Sequence, residues 1–156
     1  MDRTQERTKA EWQAVADGLT LRTQAFIGGQ FVDARDGRTA ATVSPATGRE
    51  LAQVAACDSA DVDRAVLSAR RAFEEGGWSR CSADERKATL LRLAALILEH
   101  RDELAVIDSL DMGKLVTEAW SIDVPGSSAI LQFYAETVDK QAGEIPTTPP
   151  GNVAMV

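Results

Sequence analysis

Lys114 follows Gly113 behind an apolar run, and a Gly-Lys pair in that setting first suggests a phosphate grip. A phosphate-cradling loop has the form G-x-x-x-x-G-K-[ST]. It follows a strand and opens a helix whose free N–H groups face the anion. Here Asp108 stands six residues before Lys114, Leu115 comes after it, and the preceding pattern is helical. Gly113 therefore reads as a helix-ending glycine, with Lys114 near the negative end of the dipole. His100 is the single histidine, and Cys57 and Cys81 stand apart with no C-x-x-C pair. A Cys–His nucleophile needs both groups within hydrogen-bond reach, and nothing in these spacings brings them together. Soft ligands are too few for a zinc site. No G-x-G-x-x-G dinucleotide fingerprint occurs. Asp84, Glu85, Asp102 and Glu103 fall at helix starts, where carboxylates complement the dipole. The residues by themselves give an α/β piece without a complete active site.

The elements that would position these groups follow from periodicity and turn chemistry. Trp12, Val15, Ala16 and Leu19 recur at helical spacing, so Thr4 to Ala16 reads as a helical arm packed on the body. "AFI-GG-QFV" predicts a hairpin whose tight turn contains Gly29, because such turns need positive φ. Asp36-Gly37 marks another turn. Thr42 and Val43 favour a strand, Ser44 to Gly48 a turn, and Glu50 to Ala56 a further strand. Ser59 is expected to cap a helix with Val62, Ala65, Val66, Ala69 and Phe73 on its core face, stopped by Gly76-Gly77. Ser82 and Glu85 form a capping box opening a helix that bears Leu90, Leu93, Ala94 and Ile97. After a bend near His100 come Leu104, Ile107 and Leu110, and Gly113 ends that helix. The last helical region runs from Val116 to about Gln141, bent or interrupted at Pro125-Gly126. A loop then leads to a strand start at Asn152 to Val156.

Composition narrows the function classes. The 156 residues are enough for one domain, which at this length buries roughly 68–70% of its unfolded surface. The net charge of −7 argues against a nucleic-acid partner, since phosphate binding needs clustered Lys and Arg. The N-terminus has no apolar h-region, and the longest strongly apolar run, Leu93 to Leu98, is far short of a membrane span. These features predict a soluble, cytoplasmic protein with free thiols.

Six segments in order carry a resemblance: "FIGGQFVDA", "SPATGRELAQV", "ADVDRAVLSARRAFEEGGWS", "ERKATLLRLAALILEHRDELA", "LDMGK" and "IDVPG". The chain resembles the N-terminal part of NAD(P)-dependent aldehyde dehydrogenases from about Phe26 to Val156. Within that family it looks most like the enzymes that oxidise amino-aldehydes such as γ-glutamyl-aminobutyraldehyde. It departs from the family at Leu115, where Pro is common.

The resemblance implies an α/β fold of short N-terminal antiparallel strands followed by a helical cluster, with the nucleotide-binding sheet incomplete. It divides the chain into an arm (1–24), the first part of the dinucleotide-binding domain (25–140), and a loop with the start of an oligomerisation strand (141–156). The family's nucleophilic Cys, general-base Glu, oxyanion Asn and cofactor loops match no residue here, so no catalytic role falls on Cys57 or Cys81. The implied expectation is an inactive N-terminal fragment, only marginally stable alone. NAD or NADP would serve the full-length form, and no cofactor is expected to bind this chain alone. An aldehyde would likewise meet only the full-length form. The expected partners are further copies in a homo-oligomer or a full-length homologue paired through the terminal strand. By the match, Thr42, Val43 and Asp111 would hold a monovalent cation, and Ile122, Asp123 and Gly126 would line the substrate entrance.

Overall fold

The computed structural model describes residues 7–140, 143 and 145–155. Thr8 starts the first helix. Its hydroxyl accepts from the Glu11 N–H at 3.3 Å, and the Glu11 carboxylate accepts from the Thr8 N–H at 2.6 Å. This reciprocal pairing satisfies donors that a helix start leaves open. Helix α1 spans Lys9–Asp17 and buries Trp12. The arm therefore packs on the body as its periodicity predicts, while Thr4 to Glu6 lie outside the described residues.

Strands β1 (Ala25–Ile27) and β2 (Gln30–Val32) pair antiparallel around Gly28-Gly29. Both glycines have positive φ, 64° and 81°, as a type I′ hairpin turn requires. Strands β3 (Thr39–Val43) and β4 (Glu50–Ala55) form a second antiparallel ladder, joined by a turn in which the Gly48 N–H donates to the Ser44 carbonyl. Each sheet has only two strands. Two-stranded sheets are marginal alone, so helices must support them.

Helix α2 spans Ser59–Glu75, and its cap is Asp58 rather than the expected Ser59. The Asp58 carboxylate accepts from the N–H groups of Ala60 and Asp61. A carboxylate at this position also meets the positive end of the dipole. The predicted core face of α2 is largely open: Val62, Val66 and Phe73 are 54%, 59% and 65% exposed. The first hairpin approaches it and forms with it an open groove of about 530 Å³ lined by Ala65, Ala69 and Ala72.

Helix α3 (Ala83–Glu99) opens on the Ser82–Glu85 capping box. His100 leaves helical geometry at φ −96°, ψ 22°, and α4 follows as Arg101–Met112. Gly113 ends α4 in the left-handed conformation at φ 74°. From Val116 the chain is helical to Thr137 in three parts: α5 (Val116–Glu118), a π turn (Ala119–Asp123) and α6 (Val124–Thr137). The interruption expected at Pro125 is thus a π turn just before it, not a break. Residues 145–155 are loop and turn, and Asn152–Met155 has no ladder partner among the described residues; Gln141 and Val156 lie outside them.

Small side chains set the helical packing. Ala94 on α3 and Ala135 on α6 are wholly buried, and the Ser128 hydroxyl donates to the Ala94 carbonyl at 2.9 Å. Ala105, Ala119 and Val124 form the apolar centre, with Ile97, Val116 and Trp120 around it. Among the described residues, the largest side chains buried past 98% are polar, Asp61 and Ser128. The large apolar side chains lie further out.

Candidate functional site

Two loops meet where the resemblance places chemistry. Gly113 lies against the Ser44–Gly48 turn so closely that a Cβ there would stand 3.0 Å from Pro45 Cγ. Next to this contact the Thr42 hydroxyl donates to the Asp111 carboxylate at 3.4 Å. The β3–β4 register shifts between Thr42 and Val43. Such an irregularity releases backbone groups from the ladder. Thr42 and Asp111 also line a cleft of about 390 Å³, with Leu51, Val54, Glu103 and Ile107. The structure therefore brings Thr42 and Asp111 together, while Val43, next to Thr42 on β3, is exposed and does not line the cleft. Among the described residues no group of three or more His, Cys, Asp and Glu side chains is arranged to hold a metal ion.

Lys114 faces away from this junction. Its ammonium pairs with the Asp123 carboxylate, and that bond raises the Lys114 pKa above the ordinary lysine value. The Lys114 carbonyl accepts from Ser109 at 2.7 Å, which closes the loop after α4. Asp123 therefore already has a cationic partner from its own chain. Ile122, one residue before it, is 63% exposed, and Gly126 has open space where a side chain would stand.

Trp120 carries a set of contacts that sequence reasoning did not single out. Val124 N–H donates to the Ala119 carbonyl, the i→i−5 bond of the π turn. The α-type partner of the Trp120 carbonyl is thereby diverted, and its π-type partner would be Pro125, which has no N–H. Arg101 supplies the missing donor: its Nε reaches the Trp120 carbonyl at 2.6 Å. The same guanidinium lies 3.5 Å from the Trp120 ring centroid, a cation–π contact. The indole N–H donates to Asp102 at 2.7 Å. The available signal was Pro125 five residues after Trp120, which identifies the orphaned carbonyl only once the π turn is known.

The rejected candidates stay apart. Cys57 is exposed. Cys81 donates to the Trp78 carbonyl at 3.1 Å, and His100 faces Glu103 at 3.3 Å. No helix among the described residues is long and apolar enough to cross a membrane.

The sequence pattern of the aldehyde dehydrogenase family matches residues 31–156. The chain belongs to the aldehyde dehydrogenase family. It is 49% identical over 152 residues to the aminoacetaldehyde dehydrogenase of Pseudomonas aeruginosa, covering 97% of this chain and 30% of that enzyme. It is 40% identical over 147 residues to the NADP/NAD-dependent aldehyde dehydrogenase PuuC of Escherichia coli, covering 94% of this chain and 30% of PuuC. A solved mutant of the P. syringae indole-3-acetaldehyde dehydrogenase, in complex with NAD+ and IAA, superposes with a TM-score of 0.91 at 41% identity. That match covers 96% of this chain and 30% of the solved one. The chain thus spans about 30% of the length of the curated relatives it matches, and corresponds to the N-terminal part of the aldehyde dehydrogenase fold.

Proposed function

We propose that this chain is the N-terminal scaffold of an NAD(P)-dependent aldehyde dehydrogenase acting on small amino-aldehydes, and that it has no dehydrogenase activity alone. The observation that carries the reading is the 49% identity to an aminoacetaldehyde dehydrogenase over nearly the whole chain, with under a third of that enzyme spanned. In the family reaction a Cys thiolate adds to the aldehyde, hydride passes to the nicotinamide, and a Glu-activated water releases the acid. None of those groups has a counterpart in this sequence. The absence of a G-x-G-x-x-G run likewise leaves cofactor binding to the remainder of such an enzyme. This chain's share is positioning. Thr42, Val43 and Asp111 offer hard oxygens to a monovalent cation. Ile122, Asp123 and Gly126 line the substrate entrance, with Lys114 neutralising Asp123 there.

A graft tests this. The 156-residue chain alone should show no turnover with NAD or NADP and an aldehyde panel. Substituted for the matching segment of the P. aeruginosa aminoacetaldehyde dehydrogenase, it should keep kcat/KM within roughly tenfold of the parent, about 1.4 kcal/mol of barrier. Turnover by the isolated chain that disappears in Cys57→Ala or Cys81→Ala would overturn the reading, as would an inactive, well-folded graft.

A second reading rests on the unpaired tail. Val153 and Met155 are 79% and 82% exposed, and Asn152–Met155 runs without a ladder among the described residues. Such a segment suits strand addition to the sheet of a full-length homologue. Co-elution of the two on size exclusion, lost in Val153→Pro, is the expected result, and independent elution counts against it.

A further inference from the structure

We infer that the N-terminal helix is a strap that holds the π turn in place, with Trp12 and Asp102 as positioning residues for Trp120. Trp12 is 8% exposed and sets its ring edge-on to Trp120, with centroids 6.3 Å apart and planes at 67°. Arg7 stands 5.2 Å from the Trp12 ring centroid and pairs with Asp102. Asp102 in turn takes the Trp120 indole N–H. One carboxylate thus links the arm to the indole it pins, while Arg101 holds that residue's carbonyl and the ring face. Trp120 is gripped at its ring, N–H and backbone oxygen.

The need for this grip lies in the backbone. A π turn followed by Pro125 leaves the Trp120 carbonyl without a helical donor, so the segment's own hydrogen bonds do not fix it. Helix α1 restrains the segment from outside, and the restrained residues lead directly into Ile122, Asp123 and Gly126. That the strap thereby shapes the substrate entrance rests on the function proposed above; that it orders the π turn does not.

Hydrogen exchange and circular dichroism on the 156-residue chain provide the test. The chain has three tryptophans, Trp12, Trp78 and Trp120. A close Trp12–Trp120 pair should give a far-UV exciton couplet that disappears in Trp12→Phe and persists in Trp78→Phe. Trp12→Ala should raise amide exchange over 116–126 by about tenfold while leaving α2 unchanged, a local opening rather than a global one. Asp102→Asn keeps the shape and removes the charge; it should raise exchange over 116–126 by roughly threefold. Unchanged protection there in both variants overturns the strap, as does a couplet that survives Trp12→Phe. If Trp12→Ala loosens α2 equally, Asp102→Asn decides. In the graft, Trp12→Ala should raise the aldehyde KM several-fold with kcat and the cofactor KM nearly unchanged. An inactive graft counts against the proposed function, whereas the exchange result judges the strap independently.

Discussion

Ala94→Leu should strongly destabilise the helical half of the chain. Ala94 is wholly buried where α3 crosses α6, and Ala135 and Ser128 across from it are equally enclosed. A leucine there has no space to occupy, and overpacking of this kind costs about 1–3 kcal/mol. Pushing the helices apart also strands the Ser128 hydroxyl, which now donates to the Ala94 carbonyl, and a buried unpaired hydroxyl adds about 1–3 kcal/mol. The combined loss of roughly 2–6 kcal/mol is large against the total stability of a small domain. Urea titration of helical content should place the midpoint of Ala94→Leu well below that of the parent. Ala95→Leu, on the exposed side of the same turn, is the control and should stay within about 0.5 kcal/mol. Equal midpoints for Ala94→Leu and the parent would show that α3 and α6 do not meet as described.

Asp61→Ala should detach α2 from the first hairpin. Asp61 is 1% exposed, and its Oδ2 accepts from the Arg35 N–H at 3.1 Å and the Asp58 N–H at 3.3 Å. Its Oδ1 has no hydrogen-bond donor; the Arg64 guanidinium stands 3.6 Å away, an ion-pair contact beyond hydrogen-bond reach. Alanine removes the acceptor from two backbone donors, one in the loop after β2 and one at the start of α2. Orphaned buried groups cost about 1–3 kcal/mol each, so a loss of roughly 2–4 kcal/mol is expected, allowing for water at the newly opened end. Exchange over 59–75 should accelerate with it. Asp61→Asn keeps an oxygen for both donors and should cost only roughly 1 kcal/mol, the loss of a charge-assisted bond. If Asn proves as damaging as Ala, the ion pair with Arg64 outweighs the backbone bonds.

These residues mark where the sequence was readable. Gly28-Gly29, Ser82 with Glu85, and Gly113 each specify a local geometry that few other residues adopt, so the turn, the cap and the helix end follow from three or four neighbours. The α2 cap is Asp58 and not the neighbouring Ser59, which is also a good capping type. The Asp58-x-x-Asp61 spacing was the better signal, with a second carboxylate to close the box. Periodicity gave α2 an apolar stripe but not its neighbour. Val62, Val66 and Phe73 are open because a stripe records that a face needs covering, not that this chain supplies the cover. The site divides in the same way. Thr42 and Asp111 were paired through resemblance, whereas Lys114 with Asp123 and Trp12 with Trp120 are meetings that no local rule encodes.

Both ladders join strands that are neighbours along the chain, one across two glycines and the other across the Ser44–Arg49 turn. Their closure entropy is small, because few residues separate the paired ends. During synthesis the two strands of each ribbon emerge close together, before α6 has been translated. The α3–α6 crossing needs a much later stretch of polypeptide, so a nascent chain reaches it last.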